Sequence, residues 1–103
     1  MGLNAQLHIE EAGQPTRIVV VQDIMTIGRD SDNDIVLESI SVSRFHAVLV
    51  RKAGEWLLID LASSNGTLVN GEPAPPDEAV RLGDGDELQF GQVLTWLLVD
   101  VVV

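Results

Sequence analysis

Residues 41–50, "SVSRFHAVLV", begin as a polar loop and end as an apolar run. The run is too short and too rich in β-branched residues for a helix, and it is followed closely by a Gly turn, so it reads as a strand. Working outward, the same alternation recurs along the chain. Short Val-, Ile- and Leu-rich segments fall at 5–10, 17–22, 24–28, 34–37, 46–52, 55–60, 67–69, 80–82, 86–90 and 93–101. Between them lie "AGQP" (12–15), "RDSDN" (29–33), "KAGE" (52–55), "SSNG" (63–66), "NGEPAPPDE" (70–78) and "GDGD" (83–86), which read as turns or loops. About ten short strands at this spacing predict an all-β sandwich or barrel, not a parallel α/β sheet. Runs such as "IVVV", "AVLV" and "WLLI" lack polar alternation. Either both faces of those strands are partly buried or their register is irregular.

The chain has 103 residues, which suits one domain over 1–103 with one modest core. Its 46 % apolar content predicts folding rather than disorder. With no cysteine, thiolate metal sites and disulfides are excluded. No apolar run reaches the roughly 18 residues of a membrane span, and "VLTWLLVDVVV" is broken by Asp100. Gly2 is present, but Gln6 stands where a myristoylation signal needs Ser or Thr. The expectation is a soluble, cytoplasmic protein. The net charge of −10 argues against broad binding to nucleic acid or anionic membrane, which needs a basic face. Only six residues are Lys or Arg, so Arg29 and Arg44 at turn-to-strand junctions stand out as local cationic spots.

Four polar groupings carry possible chemistry. Ser43 and His46 are the residue types of a nucleophile and its base. If 44–50 is a strand, however, they face opposite sides, and no G-x-S-x-G elbow is present. His46 reads better as a buried histidine tying loops together. Asp30, Asp32 and Asp34 match positions one, three and five of a calcium loop. Ile35 and Ser41 then replace the required Gly and Glu, so an Asx-type turn is the better reading. The acidic turn "GDGDE" at 83–87 is read the same way, and no metal site is expected. Gly28-Arg29 alone is a strand end, and Ser63-Ser64-Asn65-Gly66-Thr67 alone is a turn.

Together these groupings are far more specific. Gly28-Arg29, then Ser43-Arg44-x-His46, then Ser64-Asn65-Gly66-Thr67 resembles the forkhead-associated (FHA) domain, a phosphothreonine-reading family. "DNDIVL", "VNG" and "LGDGDELQFG" extend the resemblance over essentially the whole chain. It implies a sandwich of two twisted antiparallel sheets, about eleven strands, with binding loops at one end. It implies that Arg29, Ser43 and Arg44 hold the phosphate, and that Ser64 and Asn65 meet the peptide. Gly28, His46 and Gly66 would support the site. The resemblance points to a non-catalytic module that needs no cofactor. Its partner would be a phosphothreonine-containing protein made by a Ser/Thr kinase. Residues 38–42, 62–64 and 91–92 would be candidates for reading the third residue after the phosphothreonine. Two rivals stand beside this reading. One is an FHA-like assembly domain using a sheet face, favoured by the long apolar C-terminal strand. The other is a small hydrolase built on Ser43 and His46.

Overall fold

The structure, a computed structural model, describes residues 4–99. Eleven strands and no helix are formed among them: β1 (Ala5–Glu10), β2 (Arg17–Val21), β3 (Ile24–Gly28), β4 (Ile35–Val36), β5 (Ala47–Lys52), β6 (Glu55–Asp60), β7 (Thr67–Val69), β8 (Glu72–Pro73), β9 (Ala79–Leu82), β10 (Glu87–Phe90) and β11 (Val93–Val99). One sheet has the order β2-β1-β11-β10-β7-β8 and the other β4-β3-β5-β6-β9. This is the two-sheet sandwich that the resemblance implied.

The local cause of each strand is visible in its burial. β1, β5, β6, β10 and β11 bury every second residue, which supplies Leu7, Ile9, Leu49, Leu58, Leu88, Phe90 and Leu97 to the space between the sheets. Two of the unbroken apolar runs are thereby explained, whereas in "IVVV" Ile18 and Val20 are exposed. In "AVLV" and "WLLI" the intervening residues are half-buried, so the outer face is partly covered and the register stays regular. Positive φ at Ala53 and Gly54 closes the β5–β6 hairpin, and Asn70 with Gly71 closes β7–β8.

Three details depart from the sequence expectation. β3 and β4 pair in parallel, Ile27 with Ile35 and Gly28 with Val36, so one sheet is not wholly antiparallel. The loop expected over 70–78 contains β8, a two-residue edge strand opposite Leu68 and Val69. Pro73 lacks an N–H, which confines the strand to the edge. The C-terminal strand is not an exposed edge. β11 pairs with β1 on one side and β10 on the other, so its described residues leave no edge for an assembly partner. The end of the expected strand, at residues 100–101, and the final "VVV" lie outside the described residues.

Candidate functional site

Connections from both sheets meet at one end of the sandwich. The pairing of β3 with β5 continues past both strands. The Arg29 amide donates to the Ser43 carbonyl at 3.0 Å, the Asp30 amide to the Arg44 carbonyl at 3.1 Å, and the His46 amide to the Ile27 carbonyl at 2.8 Å. From the other side, the Ser64 amide donates to Ser43 Oγ at 3.0 Å, and Asn65 Nδ2 to the Ser41 carbonyl at 2.8 Å. Ser41 Oγ accepts the Gln92 amide at 2.9 Å, and the Gly91 amide donates to the Gly66 carbonyl at 3.2 Å. Arg29, Ser43, Arg44, Ser64, Asn65, Gly28, His46 and Gly66 are thus brought into one loop cluster.

Close approach explains the glycine at 28. A Cβ there would collide with the Arg44 carbonyl oxygen and stand 2.7 Å from Asn33 Nδ2. Only glycine lets the two chain segments come this near.

The polar atoms are disposed for an anion. Arg29 is exposed, and its Nε donates to the Val42 carbonyl at 2.9 Å. This fixes the guanidinium plane, and its two terminal nitrogens make no hydrogen bond among the described residues. Arg44 is exposed, and its guanidinium likewise has no partner among the described residues. Ser43 Oγ accepts the Ser64 amide, so its own hydroxyl hydrogen is left to donate to a ligand oxygen. Two exposed guanidiniums and a free hydroxyl hydrogen are therefore carried on adjoining loops of a chain of net charge −10, and these are the donor types that pair with anions.

His46 is fully buried behind this cluster. Its Nδ1 accepts the Ser43 amide at 3.0 Å, which requires the ring to carry its proton on Nε2. Nε2–H then donates to the Gly66 carbonyl at 2.9 Å. Phe90 stacks edge-on against the ring at 5.8 Å. Burial holds the His46 pKa below its ordinary value, although the Gly66 carbonyl and Asp60 pull the other way. The ring is therefore neutral near pH 7, and its 3.9 Å approach to Asp60 is not an ion pair there. The reason given above for doubting a Ser–His hydrolase also changes. The strand starts at Ala47, not Arg44, and Ser43 does reach His46. It does so through its backbone amide, and both ring nitrogens are committed elsewhere than to Ser43 Oγ.

The Asp60 carboxylate anchors the 61–66 loop. It accepts the Ser63 amide at 3.0 Å, the Ser63 hydroxyl at 2.6 Å and the buried Thr67 hydroxyl at 2.7 Å. Burial alone would raise its pKa, but these hydrogen bonds, with His46 nearby, bring it below the ordinary carboxylate value. Sequence reading missed Asp60, although Asp-x-x-Ser at a strand end is a local turn signature. It also missed Asn33, whose side chain bridges two loops. Val42, one of the candidates for reading the third residue, is buried in the core and cannot line a pocket. The acidic groupings do local work. Asp30 accepts the Asp32 amide, Asp34 accepts from Thr26, and Asp86 accepts the Gly83 amide. No group of carboxylates and histidines suited to a metal ion occurs among the described residues.

A two-sheet β-sandwich whose end loops gather arginine, serine and asparagine side chains is the arrangement of a class of loop-bearing β-sandwich domains. The family model for the FHA domain matches residues 25–91, and the chain belongs to that family. The glycogen accumulation regulator GarA of Mycolicibacterium smegmatis is 43 % identical over 77 residues, covering 75 % of this chain and 47 % of GarA. The oxoglutarate dehydrogenase inhibitor of Corynebacterium glutamicum is 40 % identical over 76 residues, covering 74 % and 51 % respectively. This chain thus spans about half the length of the curated relatives it matches. The structure of Mycobacterium tuberculosis EmbR in complex with a low-affinity phosphopeptide superposes with a TM-score of 0.85 at 37 % identity. It covers 97 % of this chain and 25 % of EmbR. No helix among the described residues is long and apolar enough to cross a membrane.

Proposed function

We propose that residues 1–103 act as one FHA unit that binds phosphothreonine peptides without catalysing a reaction. The observation that carries this is the pre-aimed Arg29 guanidinium beside the Ser43 hydroxyl donor, at the meeting point of the loops. A guanidinium fork and a hydroxyl match the three oxygens of a phosphate. Arg44 adds a second cation. Asn65 binds the peptide backbone with its amide, and Ser64 holds Ser43 in place. Gly28, His46 and Gly66 set the loop geometry. Hydrogen bonds to charged groups contribute about 1.5–3 kcal/mol each. Three of them, less the free energy lost on association, leave the modest affinity that a reversible signal requires. The ligand is a protein phosphorylated by a Ser/Thr kinase, in the cytoplasm. Nucleic acid and membrane lipid are not partners of this acidic unit.

The test is fluorescence anisotropy against peptide pools carrying phosphothreonine, phosphoserine or unmodified threonine. Saturable binding to the phosphothreonine pool, lost in Arg29→Ala, supports the reading. Equal binding of all three pools by both proteins refutes it.

A further inference from the structure

We infer that Asn33 is a positioning residue of the phosphate site, acting on Arg44, whereas Ser43 is tied independently to the Arg29 and Ser64 amides. The inference rests on the phosphothreonine reading above. Asn33 is buried at 7 % exposure, between the 29–34 turn and the segment that precedes β5. Both hydrogens of its amide are used, one on the Asp30 carbonyl at 2.8 Å and one on the Arg44 carbonyl at 2.6 Å. A carboxamide holds its two donors at a fixed separation in one plane. Asn33 therefore sets the distance between the backbone that follows Arg29 and the backbone that carries Arg44. Its Nδ2 also lies 2.7 Å from where a Cβ on Gly28 would stand, so it occupies a crowded point of the cluster.

Two observations separate positioning from simple stabilisation. Neither carbonyl depends on the side chain. The Asp30 carbonyl also accepts the Asn33 amide, and the Arg44 carbonyl also accepts the Asp30 amide, each at 3.1 Å. Asn33 Oδ1, meanwhile, is buried with no partner among the described residues, which is unfavourable. A Leu would remove that orphan and strand no carbonyl, but its methyls need more room beside those two oxygens than the hydrogen-bonded nitrogen takes. What the Leu cannot do is hold the two loops at a set spacing.

The experiment compares wild type, Asn33→Leu, Arg44→Ala and the double variant, by thermal melting and by anisotropy with one phosphothreonine peptide. Asn33→Leu is expected to fold, yet to bind at least tenfold more weakly. In the Arg44→Ala background the same change should alter Kd less than twofold, because the residue it positions is gone. A merely structural residue would weaken both backgrounds equally. Binding by folded Asn33→Leu within twofold of wild type overturns the inference, as does equal weakening in the two backgrounds. If Asn33→Leu does not fold, Asn33→Ala is judged by the same two criteria. Failure of wild type to bind is a separate result, which removes the phosphothreonine reading and this inference with it.

Discussion

Gly28→Ala is the most informative single change outside the ligand-facing side chains. The added methyl would meet the Arg44 carbonyl oxygen, at a separation no real Cβ shows, and Asn33 Nδ2 at 2.7 Å. Neither neighbour is free to yield. The carbonyl accepts two hydrogen bonds, and the amide nitrogen donates two. The segments must move apart, which stretches the bonds of the Arg29 amide to Ser43 and the Asp30 amide to Arg44. Overpacking costs about 1–3 kcal/mol, and each weakened bond adds up to about 1 kcal/mol, so a loss of about 2–4 kcal/mol is expected. At about 4–8 °C per kcal/mol for a small domain, Tm should fall by about 8–32 °C. Phosphopeptide affinity should fall with it, since Arg29 and Ser43 are carried on the two segments pushed apart. Urea titration and thermal melting measure the first effect and anisotropy the second. Gly13→Ala is the control. Gly13 has φ +77 and no atom within 4 Å of an added Cβ, so it reports left-handed backbone strain alone, about 1–2 kcal/mol. If Gly28→Ala is no more destabilising than Gly13→Ala and binds normally, the close-approach argument is wrong.

The other predictions concern the layer beneath the loops. His46 is neutral and its pKa depressed in the folded state, so below the ordinary value of 6.5 the unfolded chain takes up a proton that the folded chain refuses. Stability should therefore fall as pH drops below 6.5 toward the folded pKa, and urea midpoints at about pH 7.5 and about pH 5.5 should differ; equal midpoints would contradict the buried neutral ring. Asp60, depressed below 3.8, should add a second loss of stability at pH lower still, and Asp60→Asn should remove it from the acid titration. Thr67→Val keeps the shape but deletes a buried donor to Asp60, and should lower stability by about 1.5–3 kcal/mol in urea titration. Phe90→Ala empties a fully buried position against the His46 ring and should cost about 3–5 kcal/mol by the same measurement.

Strand positions were legible because they are local. Short Val-, Ile- and Leu-rich runs and the Gly, Asn and Pro that stop them are properties of neighbouring residues, and the expected segments match the observed strands to within two residues where described. β8 escaped because two residues, one of them a proline, carry no period. The site residues were legible for a different reason. Gly28-Arg29, Ser43-Arg44-x-His46 and Ser64-Asn65-Gly66 form an ordered composite that resembles a family, although each piece alone reads as an ordinary turn. By itself, then, the amino-acid sequence determined the all-β class, the placing of the strands, the acidic charge and the family. Tertiary structure alone decided which strands neighbour one another, that β11 is central rather than an edge, and that His46 meets Ser43 through the amide. It also decided that Ser41 and Gln92, 51 residues apart, share a hydrogen bond. The physical reason is range. Backbone preference acts between adjacent residues, whereas pairing and loop contact are settled by packing two sheets over one core, to which every strand contributes at once.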